Sequence, residues 1–408
     1  MSLINDASLI LTPNAVKEGK LYSIIPLNGN GDMTVVRAID ATKVNSLGLI
    51  ESVAANVPRL NYDGSCPSIL VEPQRTNLLL NSVWAGGGSL PTSWLFSTTA
   101  GTSTPVTSIK NTNVTAYRFT TSTTRQDISQ TFAIALNQVI AFSVYVESVT
   151  TAIPISQMLR IGPTGAAAGT TVFLKNNVVV SSALNIEAGF TYSIVLTCTT
   201  AGDFQFRVGS GVNSNVTGNF VLSMPQAELG VSTPTPVAAY STSFIPTTTQ
   251  IITRNADIIS KSNIFTNNLI TSAGGTFFIE LNNNISFARD ASRYSIGIDT
   301  AVGGITNGFS IKSTGAASQR LTIVKIIGSS QTNLYTTLTD VVKIAIDWNG
   351  TAADVFVNGV KVVTATLFTI TNMQFLFATA EDVPKYIKSM MLFPRPLTDA
   401  ECIALTTL

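Results

Sequence analysis

The stretch that decides the fold lies between residues 226 and 257, and it reads Gln226-Ala227-Glu228-Leu229-Gly230, then Ser241-Thr242-Ser243-Phe244-Ile245-Pro246-Thr247-Thr248-Thr249, then Thr253-Arg254-Asn255-Ala256-Asp257. The first string has the character of a closing strand, and the second is a crossing rich in proline and threonine. Arg254 and Asp257 then open a new segment rich in strand-forming residues. The stretch therefore predicts a junction between two β-rich parts of the chain.

Short strands separated by turns are predicted on both sides of this junction. Before it, the segment Ile140–Glu147 alternates with period two, as a half-buried strand does. After it, Asn358-Gly359 separates two β-branched runs and gives a strong hairpin signal. The string Thr398-Asp399-Ala400-Glu401 is a capping box and predicts a short terminal helix. The pattern predicts an all-β fold with one short C-terminal helix.

The length of the chain indicates more than one domain, because 408 residues exceed a single ordinary core. We predict two antiparallel β-sandwiches, over residues 81–249 and 250–408. An extended N-terminal arm is predicted over residues 1–80. Since this arm contains few alternating strands, we expect it to bury too little surface alone and to dock on a neighbour.

The composition limits the possible partners. Only 12% of the residues are charged, 45% are hydrophobic, and the mean hydropathy is +0.33. No apolar run reaches the roughly 18 residues of a membrane span, and the N-terminus lacks the pattern of a secretory signal. Such a chain is expected to hide apolar surface in an oligomer or larger assembly, although composition alone also fits a large monomer. With a net charge of +1, nucleic acid and membrane are not expected partners.

The residue types present exclude several kinds of chemistry. The sequence contains no histidine, which removes histidine-activated nucleophiles and histidine-ligated metals. Cys66, Cys198 and Cys402 are far apart and form no CxxC pair, so we interpret them as reduced core residues. No group of Asp and Asn has the spacing of a calcium loop. We therefore expect no metal and no cofactor.

Glycoside hydrolysis would need two carboxylic acids that face each other across the scissile bond. The acidic residues of this chain are scattered singly on predicted strands and turns, for example Glu147, Glu187, Glu228, Glu280 and Asp347. None has a plausible catalytic partner nearby in the sequence. We expect that the protein is not an enzyme.

Several strings resemble a family of bacteriophage virion proteins. In the C-terminal part, the strings that resemble a concanavalin A-like, laminin-G-type jelly roll are Trp348, Asn358-Gly359 and the ending 391–401. In the middle part, those that resemble the carbohydrate-binding jelly rolls of phage proteins are Thr76-Asn77-Leu78-Leu79, Tyr145-Val146 and 226–230. Residues 41–45 and 67–79 resemble the leader of the same proteins. The resemblance covers nearly the whole chain.

The resemblance implies a structural protein on the surface of the virion, either a head fibre or a capsid decoration protein. It also implies a homotrimer that contacts other virion proteins and binds cell-surface glycans weakly and multivalently. Three alternatives stay open. They are a tail receptor-binding adhesin, a tailspike-type enzyme that degrades polysaccharide, and jelly rolls that serve only as structural glue.

Two pairs of residues are candidates for a binding site. Trp84 and Trp94 lie in the loop that enters the middle part, where an exposed indole could stack on a sugar ring. The alternative is that both indoles fill the core. At the junction, Arg254 and Asp257 could clamp a ligand, or they could form an inter-domain salt bridge that fixes the register of the chain.

Overall fold

The computed structural model describes residues 3–97, 102–120, 125–211, 218–230, 240–282, 293–299, 307–313, 321–328, 330–337, 341–350, 352–366, 373–378 and 385–408. The chain divides into two compact units. The terminal unit consists of residues 1–48, 52–73 and 255–408, and the central unit consists of residues 49–51 and 74–254.

The strands of the first 73 residues are short. After a 3₁₀ helix, Leu3–Asp6, they are β1 (Leu9–Leu11), β2 (Val16–Lys17), β3 (Lys20–Leu21), β4 (Met33–Val36), β5 (Ala41–Val44), β6 (Ile50–Val53), β7 (Arg59–Asp63) and β8 (Cys66–Val71).

The strands of residues 74–254 include the longest of the described chain. They are β9 (Arg75–Asn77), β10 (Leu95–Phe96), β11 (Thr104–Thr107), β12 (Thr115–Thr120), β13 (Gln126–Ile134), β14 (Val139–Val149), β15 (Leu159–Pro163), β16 (Ala168–Lys175), β17 (Val178–Val180), β18 (Thr191–Thr200), β19 (Gly202–Ser210), β20 (Asn219–Gly230) and β21 (Ile252–Arg254). One short helix, α1 (Ile155–Met158), precedes β15.

The remaining strands return the chain to the terminal unit. They are β22 (Ile258–Lys261), β23 (Gly275–Asn282), β24 (Arg293–Asp299), β25 (Asn307–Ser313), β26 (Leu321–Ile327), β27 (Ser330–Thr337), β28 (Val341–Trp348), β29 (Ala352–Val357), β30 (Val360–Thr366), β31 (Gln374–Ala378) and β32 (Lys385–Phe393). Helix α2 (Asp399–Thr406) follows them.

Among the described residues, two large antiparallel sheets form the terminal unit, and β5 and β6 form a separate two-stranded sheet. The first has the strand order β30-β29-β28-β23-β32-β8-β7, and β1 also pairs with β32. The second has the order β2-β3-β4-β22-β31-β24-β25-β26-β27. Phe277 of the first sheet stacks on Phe375 of the second with ring centroids 5.2 Å apart. Helix α2 covers the opposite face of the first sheet, where Leu397 and Cys402 pack with Phe278.

Two antiparallel sheets also form the central unit. The smaller has the order β10-β13-β19-β15, and the larger has the order β11-β12-β20-β14-β18-β16-β17, with β9 joining β20 to β21. Phe142 of the larger sheet meets Phe206 of the smaller one edge to face, with centroids 5.4 Å apart. Apolar side chains from both sheets form one core. The predicted all-β fold with antiparallel sandwiches is thereby confirmed.

The first 73 residues, predicted as part of a separate arm, contribute strands to both sheets of the terminal unit. Leu9–Leu11 pairs with residues 390–392 in the first sheet, and Met33–Val36 pairs with Ile258–Lys261 in the second. A strand at a sheet edge carries unpaired backbone N–H and C=O groups. The N-terminal strands pair with such groups, although more than 200 residues separate the partners in the chain.

The crossing segment after residue 240 packs on the larger sheet of the central unit. The Ser241 hydroxyl lies 3.0 Å from that of Ser193, and the Thr242 N–H donates to Glu228 Oε2 at 2.7 Å. This cover explains a difference from the sequence pattern. Strand β14, predicted as half-buried, is buried on both faces over most of its length.

Two local predictions are confirmed. Asn358 and Gly359 have φ values of 48° and 82°, as the hairpin between β29 and β30 requires. The Thr398 side chain accepts from the Glu401 N–H, and the Glu401 side chain accepts from the Thr398 N–H, so the capping box forms. Within the described residues, no helix is long and apolar enough to cross a membrane.

Candidate functional site

The two tryptophans considered for sugar stacking lie inside the central unit. Trp84 and Trp94 are 0% and 2% exposed, and their ring centroids are 5.7 Å apart in an edge-to-face arrangement. Trp84 also meets Tyr117 at 5.5 Å, and Trp94 Nε1 donates to the Asn81 carbonyl at 3.2 Å. Stacking on a sugar requires an exposed ring face. The assignment to a sugar site is therefore corrected, because both indoles are core residues.

Asp257 of the junction belongs to a buried ionic group in the terminal unit. Its Oδ1 accepts from Arg37 Nη1 at 2.8 Å, and its Oδ2 accepts from Arg59 Nη2 and from the Glu72 N–H, the latter at 2.8 Å. Arg59 Nη1 donates to Glu72 Oε2 at 2.6 Å. Burial alone would lower the pKa of Arg59, but attraction to Asp257 and Glu72 raises it.

This ionic group supports the fold and leaves no side for a ligand. The four side chains are between 0% and 2% exposed, and two guanidiniums face two carboxylates. Arg254, which was predicted to act together with Asp257, belongs to the central unit. There its Nη1 donates to Ser243 Oγ at 2.9 Å. The two junction residues therefore take partners in different units, so these contacts replace both alternatives considered for them, the ligand clamp and the salt bridge between Arg254 and Asp257.

A polar face on the smaller sheet of the central unit is the strongest candidate site. Along β19, Phe204, Phe206 and Val208 are buried in the core. Because side chains alternate between the two faces of a strand, Gln205 and Arg207 point away from the core. Both are half-buried.

The register of the sheet brings a second arginine beside Arg207. Residue 207 pairs with Arg160 of β15 and with Ser129 of β13. Paired residues of antiparallel strands point to the same face, with Cβ atoms about 4.5–5.5 Å apart. Asp127 lies two residues before Ser129 on that face, and Arg125 precedes the strand. We define the arginine face as these four charged residues, Arg125, Asp127, Arg160 and Arg207.

The contacts within the arginine face fix its geometry. Arg160 Nη2 donates to Asp127 Oδ2, and Arg125 Nε lies 3.9 Å from the same oxygen. Arg207 Nε donates to Gln205 Oε1 at 2.7 Å. The Arg125 and Arg160 side chains are 27% and 19% exposed, whereas that of Asp127 is fully buried. Solvent therefore reaches the arginines but not the carboxylate that they enclose.

Positive charge exceeds negative charge on the arginine face, because the face carries three guanidiniums and one carboxylate. Burial, together with repulsion from Arg125 and Arg207, lowers the pKa of Arg160 to about 10. Burial and repulsion from Arg125 also lower the pKa of Arg207. With one carboxylate among three guanidiniums, the face can attract an anion.

The sequence predicts short strands before the junction but not the arginine face. One signal was available, since an arginine between two apolar strand residues must point outward. The pairing of Arg207 with Arg160 depends on the register of β15 and β19, which the local sequence does not encode. Among the described residues, no group of three or more Asp, Glu or Cys side chains is placed to hold a metal ion.

No protein-family model matches the sequence, and no curated protein sequence does. Among solved structures, the chain is similar to botulinum neurotoxin type C over 37% of its length, with 12% identity and a TM-score of 0.30. It is also similar to the CBM40 of the Ruminococcus gnavus IT-sialidase bound to sialyllactose, over 33% of this chain and 83% of that one, with 16% identity and a TM-score of 0.25.

A third similar structure is a Bacteroides ovatus protein assigned to carbohydrate binding. The match covers 69% of this chain and 80% of that one, with 11% identity and a TM-score of 0.25. The present chain spans 40% of the length of the neurotoxin chain. Likenesses of this extent indicate nothing about the function of this chain.

Proposed function

We propose that this chain is a non-enzymatic structural protein of a bacteriophage virion, displayed on the particle surface as a head fibre or decoration protein. Its β-sandwich units bind glycans weakly, and a homotrimeric appendage present in many copies raises the avidity. The virion assignment is supported by the resemblance of the junction and C-terminal strings to phage virion proteins.

The observation that carries the binding function is the arginine face. Half-buried, hydrogen-bonded arginines on the outer face of a sheet offer fixed donors to a polar ligand, and their geometry is set by the strand register. The buried ionic group of the terminal unit and the tryptophans of the central core provide no such accessible donors. A glycan, which is rich in acceptor oxygens, is a ligand that such donors fit.

A glycan array probed with the purified full chain tests the binding function. We expect weak binding that strengthens when the chain is clustered on a multivalent support. The matched control for a substitution in the arginine face is Arg118→Gln. It removes an exposed arginine on β12 of the larger sheet and should leave binding unchanged. Absence of binding to every glycan, with the chain folded and clustered, would contradict the proposal.

Immunogold electron microscopy of phage particles tests the virion assignment separately. Label on the capsid supports a head fibre or decoration protein, and label on the tail supports a receptor-binding adhesin instead. Unlabelled particles that carry an accessible epitope would refute a virion location. Sedimentation of the purified chain then tests the homotrimer.

A further inference from the structure

We infer that the arginine face binds the carboxylate of an acidic sugar, and that it selects hydroxyl-bearing acids over neutral glycans and simple anions. This inference rests on the proposed glycan-binding function and names the class of glycan.

The arginine face places two like charges opposite each other. Arg160 and Arg207 are directly opposite each other on paired strands, an arrangement that destabilises a sheet. Asp127 bonds Arg160 and leaves the face with an excess of two positive charges. An anion placed between the guanidiniums would remove the repulsion, and a planar carboxylate matches the fork of donors that each guanidinium presents.

Within the part of the chain that the structure describes, two buried polar atoms of the arginine face lack a hydrogen bond. Asp127 Oδ1 and Arg160 Nε are buried and have no hydrogen-bond partner among the described residues. A buried polar atom without a partner costs about 1–3 kcal/mol. The oxygen requires a donor, whereas the nitrogen requires an acceptor. Neither atom is open to solvent, so a ligand does not bond to them directly; the missing bonds are a cost that the unliganded face carries, and an anion held by the exposed guanidinium nitrogens would offset it.

The arginine face is held in place before any ligand binds. Gln205 accepts from Arg207 Nε and donates to Ser129 Oγ at 2.8 Å. These two bonds fix the orientation of the Arg207 guanidinium. A side chain at Gly211 would place its Cβ 2.4 Å from Arg160 Nη1. This glycine therefore leaves the space that the Arg160 guanidinium occupies. Such positioning reduces the entropy cost of binding.

An apolar side chain lies on the same face of the sheet as the arginines. Leu95 of β10 pairs with Ser129 and therefore points to the same face as Arg207. Its side chain is 70% exposed. Sugar rings carry apolar C–H groups beside their hydroxyls, so an exposed leucine next to charged donors suits a sugar acid better than an inorganic anion.

Titration calorimetry with defined probes tests this inference. The probes are an oligosaccharide that ends in glucuronate, the matching oligosaccharide that ends in glucose, and sodium sulfate. We expect the glucuronate probe to bind more tightly than the other two, and its affinity to fall at least about tenfold in Arg207→Gln, the loss expected for one charge-assisted hydrogen bond. Arg118→Gln is the control and should bind normally.

A second variant keeps the test independent of folding. Arg125→Gln removes an arginine whose side chain is 27% exposed and should also weaken glucuronate binding, with an unchanged thermal midpoint. Equal affinity for the glucose-ended probe, equal affinity for sulfate, or undiminished glucuronate binding in both variants would overturn the inference while glycan binding itself stands. Failure of all glycans to bind would overturn the proposed function as well.

Discussion

Replacement of Asp257 by asparagine tests the buried ionic group of the terminal unit. The wild-type group balances Arg37 and Arg59 against Asp257 and Glu72, with every side chain at most 2% exposed. Asp257→Asn keeps the size of the side chain but leaves two buried guanidiniums facing one carboxylate. Loss of one partner from a buried ion pair costs about 3–5 kcal/mol. For a domain of about 150–250 residues, this cost lowers the unfolding midpoint by roughly 6–20 °C.

A second substitution in the same group makes the prediction sharper. The variant Arg37→Gln/Asp257→Asn leaves Arg59 with Glu72, joined at 2.6 Å, so the buried charge is balanced again. We therefore expect the double variant to be more stable than the sum of the two single effects predicts. The coupling should be about 0.5–3 kcal/mol, the range found for residues within one network.

Urea denaturation followed by far-UV circular dichroism measures these differences, with the slope of each transition compared between variants. Asp399→Asn is the matched control. It makes the same chemical change in the same unit, but at a side chain that is 59% exposed and that lies 3.2 Å from Lys361. An exposed pair contributes at most about 1 kcal/mol. Similar losses in Asp257→Asn and Asp399→Asn would refute the reasoning.

Three further predictions concern other parts of the chain. Bonding to Arg395 lowers the pKa of Glu401 to about 2. The ionised Glu401 should therefore stabilise the fold fully above its unfolded pKa of about 4.5, and this contribution should be lost as the pH falls toward 2. The difference in unfolding free energy between the wild type and Glu401→Gln, measured in urea, should close over that range. Cys66 is exposed and not, as interpreted from the sequence, a core residue, whereas Cys198 and Cys402 are buried. In the native state a thiol reagent should therefore label only Cys66, and burial raises the pKa of Cys402 to about 12. Labelling of more than one thiol, measured by mass spectrometry, would contradict this. Trp84→Ala should destabilise the central unit by about 3–5 kcal/mol, whereas a surface tryptophan would show little effect in the same denaturation assay.

Local signals in the sequence predicted local structure well. The hairpin at Asn358-Gly359 and the capping box at Thr398 both form, because a turn or a cap depends on residues within a few positions of each other. The fold class follows from the same kind of information, since period-two alternation and frequent turns are properties of short windows.

Features that depend on distant residues could not be predicted. The partners of Asp257 come from positions 37 and 59, about 200 residues earlier in the chain. Strand β1 reaches β32 across nearly the whole sequence. Nothing in a short apolar segment such as Leu9–Leu11 indicates which sheet edge it will join, because edges offer the same backbone groups. For the same reason, the first residues were expected to form an arm.

The arginine face lies between these two cases. The outward direction of Arg207 follows from the alternation of its strand, but its neighbours follow from pairing between β13, β19 and β15. A shift of one residue in this register would move Arg160 to the core side of the sheet. The apolar residues Ile128 and Leu159, which are fully buried, oppose such a shift. The core therefore determines where the charges of the site meet.

The junction string is informative because it marks where the chain returns from the central unit to the terminal unit. Strand β9, just after the chain enters the central unit, pairs with β21, just before it leaves, and Arg75 is opposite Arg254. Entry and exit are thus adjacent, which is the arrangement that allows one domain to be inserted into another. The residues beyond the exit then supply Asp257 to the arginines of the N-terminal strands and loops. A domain boundary drawn at this string alone cannot be correct, because the terminal unit needs the chain from both sides of the insertion.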